Sequence, residues 1–314
     1  MTLAIANTNT LEARATAWAS KPDDELKREA VTAANARDPD RLWGLTEAFL
    51  AARSRGRTDT SPNTLRAYKR GILDLIAAWP HENLLRPARN APDLYVMKLM
   101  LAGLAPGTIQ IKLSSARTLY KALRWAGATE LDPFEDVKGP RDETAAWEKR
   151  QPYSLEEVEK LLTKANRLDR VIVLLGAHAG LRVAEMVTLK WADVDLSAQQ
   201  LRVTRGKGGK PRTVWISAGL ARALESLRPY AARENVLSFG STTRARARIE
   251  RLAFRALVKY RGIHALRHTC GTRMAREEGL EAAQHRLGHA NLATTQVYAK
   301  WNQTHLRDAV SAWD

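Results

Sequence analysis

Five short stretches in the second half of the chain carry side chains suited to work on a phosphodiester. In chain order they are Ala179-Gly180-Leu181-Arg182-Val183-Ala184-Glu185, the turn 205–211 with Lys207, His264-Ala265-Leu266-Arg267-His268, Leu287-Gly288-His289, and Thr294-Thr295-Gln296-Val297-Tyr298. Attack on phosphorus gathers negative charge on the non-bridging oxygens. Arginine suits that charge because its planar fork donates parallel hydrogen bonds and does not deprotonate. The leaving 5′-oxygen needs a proton from a general acid. The attack needs a nucleophile, for which tyrosine is one choice once its hydroxyl is activated.

Each stretch taken alone has a plainer reading. Arg182 and Glu185, one helical turn apart, make an ordinary surface ion pair. Gly180 permits close approach of backbone. Lys207 sits in a Gly-rich run that resembles a phosphate cradle, but that motif needs a following helix, and here a strand follows; a solvated basic turn is the alternative. His264/His268 and His285/His289 have the i, i+4 spacing of paired zinc ligands. The zinc-protease pattern, however, requires Glu after its first His, where Ala265 and Arg286 stand, and the neighbouring arginines repel a cation.

These stretches need elements to hold them, and the periodicity supplies two sets. Residues 1–40 are Ala-rich and helical in pattern, ending in the break Asp38-Pro39-Asp40. Leu42, Leu45, Phe49 and Leu50 then mark one apolar helix face. Ser61-Pro62 opens a helix carrying Leu65, Tyr68, Ile72, Leu75 and Trp79. A third helix is expected near Asp93 to Leu101, and a fourth from Pro106, with Ile109, Leu113, Leu119, Leu123 and Trp125. Asp132-Pro133, Gly139-Pro140 and the charged run to Arg150 read as a linker. Ser154 with Glu157 is a capping box that opens the next domain. Helices follow to about Leu189. Two strands are expected near Leu201–Thr204 and Thr213–Ile216, joined by the Lys207 turn, and helix from Ser217 onward. The expected fold is mainly α with a small β-sheet. Its division is an N-terminal helical extension at 1–40, a helical domain at 41–135, a linker at 136–150 and a mixed α/β domain at 151–314.

Composition narrows the partners. Fifty Lys and Arg against 34 Asp and Glu give a formal charge of +16, which points to a polyanion. No apolar run approaches the ~20 residues of a membrane helix, and the N-terminus lacks the basic start and apolar block of a signal peptide. The single cysteine, Cys270, forms no disulfide within the chain, which fits a reducing cytoplasm; it reads as a small core residue rather than a nucleophile.

Together, Arg182, Lys207, His264 with Arg267 three residues on, His289 and Tyr298 resemble the catalytic signature of the tyrosine recombinases, the phage integrases and Xer-type resolvases, in order and in local wording. The resemblance is strong over the second domain; the helical block before it is similar to the family's core-binding domain in size, pattern and place. The resemblance implies that Arg182 and Arg267 clamp the scissile phosphate, Lys207 protonates the leaving 5′-oxygen, His264 assists proton transfer at the tyrosine, His289 bonds a non-bridging oxygen, and Tyr298 attacks and holds the 3′-phosphate. It implies that Glu185 supports Arg182, that no cofactor or metal is required, and that double-stranded DNA is the partner. It further implies a homotetramer on two DNA sites, monomeric when free, with a second recombinase or accessory protein as an additional partner. DNA contacts are expected from Arg53, Arg57, Arg66 and Lys69 in the first domain. In the second they are expected from Arg244, Arg246 and Arg248, on a helix whose other face, with Ile249, Leu252, Leu257 and Val258, packs inward. Trp301, Leu306, Val310 and Trp313 form a terminal stripe of the kind that docks on a neighbouring protomer in the family.

Two features depart from the Xer pattern. Ala299-Lys300 follows Tyr298 where Xer-type proteins usually have a His, and residues 1–40 exceed the usual short start. Resolvase and mobile-element integrase both stay open. A type IB topoisomerase shares the chemistry without pairing two sites, and a catalytically silent DNA-binding protein shares the charge. RNA binding rests on charge alone, without the aromatic strand motifs of RNA-recognition folds.

Overall fold

The computed structural model describes residues 17–18, 20–53, 61–144, 148, 151–204, 211–230 and 234–288. The chain divides into two compact units between Glu143 and Thr144. The architecture is mainly helical, with one three-stranded sheet in the second unit.

The first unit contains α1 (Asp23–Asn35), α2 (Pro39–Arg53), α3 (Pro62–Ala78), α4 (Ala91–Leu101) and α5 (Pro106–Trp125). Proline at the first turn starts four of them, where its missing N–H has no helical partner to lose. Ser61 caps α3 by accepting the amide of Thr64 at 3.1 Å. Helix α5 is the hub and packs on α2, α3 and α4, burying Ile109, Leu113, Ala116, Leu119, Tyr120 and Leu123. Trp79, Tyr95, Tyr120 and Phe134 form an aromatic cluster with ring centroids 5.5–6.3 Å apart. The Tyr120 hydroxyl donates to the Leu84 carbonyl at 2.8 Å.

The division expected at residue 40 is not where this unit begins. Residue 40 lies inside α2, and α1 packs on α2 with Leu26, Ala30, Ala33 and Ala34 in the same core. The small alanine face lets α1 sit close against its neighbour, so this part of the Ala-rich region joins the core. The expected linker also starts late, because Val137 is buried in this core and Arg117 donates to the carbonyls of Phe134 and Val137.

The second unit contains α6 (Leu155–Lys164), α7 (Arg167–Ala177), α8 (Val183–Thr188), β1 (Val194–Asp195), β2 (Gln200–Val203), β3 (Arg212–Trp215), α9 (Ala218–Leu227), α10 (Thr242–Arg255), α11 (His264–Glu277) and α12 (Leu280–Leu287). The capping box at Ser154 and Glu157 is formed in both directions. Helix α7 is apolar on every side from Val171 to Leu175, and it is accordingly central, with α6, α8, α9, α10 and α11 packed around it. The strands pair antiparallel in the order β1-β2-β3, with Leu201 opposite Val214 and Val203 opposite Arg212. The short β1 went unread in the sequence, since two residues show no alternation. Between α9 and α10, and again between α10 and α11, the chain is not continuous helix. No described helix is long and apolar enough to cross a membrane.

Candidate active site

Gly180 ends the turn after α7 with φ +67°. A Cβ there would meet Leu287 Cδ2 at 2.7 Å and Cys270 Sγ at 3.1 Å, so both the conformation and the space require glycine. The chain then enters α8 with Arg182 as its cap residue. Glu185, one turn on, reaches back. Its Oε2 accepts the Arg182 amide at 2.8 Å and its Oε1 accepts the Arg182 guanidinium at 2.9 Å. The Glu185 side chain is 2% exposed and that of Arg182 24%, so the carboxylate lies beneath and the guanidinium reaches solvent.

Glu185 has a second partner that the sequence reading missed. Arg212, the first residue of β3, grips the same carboxylate with both terminal nitrogens, at 2.9 Å to Oε1 and 2.8 Å to Oε2. Burial acts to raise the Glu185 pKa, but the Arg212 hydrogen bond, the Arg182 amide and the two guanidinium charges outweigh it and hold the carboxyl below its ordinary range. A signal for Arg212 existed. It shares strand parity with Val214 and Ile216, both buried, and a charge on the inward face of a strand calls for a buried counter-charge.

Arg267 lies in α11 and is 1% exposed. It donates to the carbonyls of Gly180 and Leu287, the latter at 2.7 Å. These acceptors stand two residues before Arg182 and two before His289. One guanidinium thus fastens the start of the Arg182 segment to the end of α12. Gly288, at φ +62°, closes α12 in the left-handed region. Arg286 ties the same region further, donating to the carbonyls of His178 and Trp215. Cys270 is buried and its thiol is pushed up chiefly by burial, in keeping with a packing role.

His264 is exposed at the first position of α11, and its ring meets that of His268 edge-on at 4.8 Å between centroids. Lys207, His289 and Tyr298 lie outside the described residues. So do Arg57 and the terminal stripe of Trp301, Leu306, Val310 and Trp313, and the side chain of Arg53. Val203 and Arg212, which pair at the end of the hairpin, bracket the segment that carries Lys207. The structure therefore brings together Arg182, Glu185 and Arg267, and adds Arg212.

Among the expected DNA contacts, Arg66, Arg244 and Arg246 are exposed. Lys69 is half-exposed and lies 3.4 Å from Asp40. Arg248 departs from the expected solvated row. Its Nε donates to Asp169 Oδ1 at 2.8 Å, while Arg255 takes Oδ2 at 3.1 Å. Asp169 belongs to the central helix α7 with its side chain 3% exposed, so its charge draws both arginines inward. Leu257 also departs from its expected packing role. It lies just past the end of α10 at φ +53° and is 93% exposed, because the helix has already ended.

The likeness to known proteins follows the same residues. The model of the phage integrase family matches residues 153–305, and that of the phage integrase N-terminal SAM-like domain matches residues 53–127. The tyrosine recombinase XerA of Pyrococcus horikoshii is 32% identical over 267 residues, covering 80% of this chain and 87% of its own. The tyrosine recombinase XerC of Xanthomonas campestris is 28% identical over 313 residues, covering 94% of this chain and 95% of its own. A lambda integrase tetramer bound to a Holliday junction superposes with a TM-score of 0.68 at 16% identity, over 84% of this chain and 80% of that one, which is a likeness of fold. With Arg267 tied to the turn that leads into Arg182 and the matched region enclosing both, the chain belongs to the phage integrase family, the tyrosine recombinases.

Proposed function

We propose that this chain cuts and rejoins double-stranded DNA at specific sites, with Tyr298 as nucleophile. The Tyr298 oxygen attacks the scissile phosphorus and the bond to the 5′-oxygen breaks. That oxygen takes a proton from Lys207, and the strand remains attached as a 3′-phosphotyrosyl ester. A 5′-hydroxyl from the partner strand then attacks the same phosphorus and releases the tyrosine. One phosphodiester is exchanged for another through an ester of similar energy, so the balance needs no cofactor.

The observation that carries the reading is the arrangement of Arg182 over buried Glu185, with Arg267 fastening the Gly180 and Leu287 segments. It presents a solvent-facing guanidinium on a fixed base, ready for a phosphate. In this reading Arg182 is the direct phosphate ligand; Arg267, expected to share the clamp, is 1% exposed and donates to two carbonyls, and so contributes its charge from within while holding the turn that leads to His289. His264 assists the proton on Tyr298, and His289 bonds a non-bridging oxygen. Arg244, Arg246 and Arg66 meet the backbone, and the first unit grips the duplex. Four protomers assemble on two sites, as in the tetramer on a Holliday junction described for the lambda integrase. The role is Xer-like resolution or mobile-element integration, performed in the cytoplasm.

The test is a nicked suicide duplex drawn from a pool of genomic sites, incubated with wild type and Tyr298→Phe in the presence of a chelator. An adduct in wild type alone, on the 3′-phosphate side, supports the reading. Binding without any adduct across the pool overturns it in favour of a silent DNA-binding protein.

A further inference from the structure

Arg212 stands where three parts of the site meet. It is the first paired residue after the Lys207 segment. Its two terminal nitrogens hold Glu185, which holds Arg182. Its stem lies against Gly288: a Cβ on that glycine would fall 2.9 Å from Arg212 Cδ and 3.2 Å from Nε. Its side chain is 14% exposed, beneath the surface that a phosphate would reach.

We infer that Arg212 is a positioning residue for strand cleavage, which sets Arg182 through Glu185 and keys the start of β3 to the Gly288 turn. This rests on the catalytic reading above. The physical case is geometric. Glu185 alone can swing about its own side-chain bonds and carry Arg182 with it. Two parallel bonds from a strand residue fix the plane of the carboxylate, and with it the direction of the Arg182 fork. Lysine in the same place keeps the charge but offers one point of attachment instead of a planar pair. The Gly288 contact explains why the turn before His289 approaches so closely: backbone rests directly on the Arg212 stem, and a side chain at 288 would push it away.

Two measurements on the full chain test the inference separately from the reaction class. The first is carboxyl 13C titration of Glu185 in wild type and Arg212→Met. The charges acting on Glu185 are Arg182 from its own helix start and Arg212 from β3; Asp193 and Arg202 line the same small cavity. Loss of Arg212 should move the Glu185 midpoint up by about 1 pH unit or more. An unmoved midpoint overturns the coupling whether or not the chain cuts DNA. The second is single-turnover adduct formation against pH for wild type, Arg212→Lys and Arg212→Met, with DNA binding and thermal melting in parallel. Arg212→Lys should still bind DNA and remain folded at assay temperature, melting between wild type and Arg212→Met, yet cleave about 100-fold more slowly than wild type. Arg212→Met should also shift the acid limb of the profile upward. Wild-type cleavage by Arg212→Lys, or a rate loss in both variants that merely tracks melting with the acid limb unmoved, overturns the inference. Absence of an adduct in wild type overturns the catalytic reading and the positioning role with it, and is recognised by that control alone.

Discussion

Replacing Glu185 with Gln tests the centre of the site with almost no change of shape. The carboxylate accepts hydrogen bonds from the Arg182 amide, the Arg182 guanidinium and both terminal nitrogens of Arg212. An amide oxygen keeps the bonds at one position. The amide nitrogen at the other faces donors and accepts from neither. Bonds to charged groups contribute about 1.5–3 kcal/mol each, so losing two gives roughly 3–6 kcal/mol. The side chains of Arg182 and Arg212 are 24% and 14% exposed and regain part of this from water. The expected loss is therefore about 3 kcal/mol, the low end for breaking a buried ion pair. Urea unfolding followed by circular dichroism reads it directly: at a slope of about 2 kcal/mol/M, the midpoint of the second unit falls by about 1.5 M. The sign with pH is also set. Glu185 has a depressed folded pKa, so its contribution is complete above the ordinary carboxyl range and is lost as pH falls through the folded value. Wild type and variant should differ fully at neutral pH and converge only in acid below that range. A loss under about 1 kcal/mol at neutral pH, or a difference that grows as pH falls through the carboxyl range, refutes the account of Glu185 as a buried anchor.

Other outcomes follow from the same contacts. Gly180→Ala should cost at least about 1–2 kcal/mol from its left-handed backbone, before the clash with Leu287 and Cys270 is added. Adduct yield should fall with it, since the Gly180 carbonyl is an Arg267 acceptor, and unfolding with the suicide assay checks both. Asp169→Asn should lose about 1–3 kcal/mol in the same unfolding experiment, less than Glu185→Gln because Arg248 and Arg255 are 27% and 48% exposed and can rehydrate. DNA affinity should fall ~10³–10⁵-fold from low to moderate salt if six to ten phosphates are met. In that titration Arg244→Ala or Arg246→Ala should each lower the salt slope by about 1, whereas Arg248→Ala should lower stability and leave the slope near wild type.

Much of the architecture was legible in local sequence because local physics sets it. Proline at first turns, the Ser154–Glu157 box and the 3.6-residue apolar stripes place helices without knowledge of their neighbours. The strands on either side of the Lys207 turn show the same economy, since alternation is a property of the strand itself. The candidate site residues were proposed on another ground: phosphate chemistry accepts few side-chain types, and their order along the chain resembles that of a known family. Only the tertiary structure decided which charges face one another. Arg248 and Arg244 sit on one helix with the same chemistry, and the difference between them is Asp169, buried on a helix far away in sequence. Arg212 reads as one more basic residue in a basic hairpin until packing sets Glu185 beneath it. Likewise α1 looks like an extension until its alanine face is seen to be part of the first core. A buried ion pair depends on two distant segments reaching the same low-dielectric place, and no local pattern records that meeting.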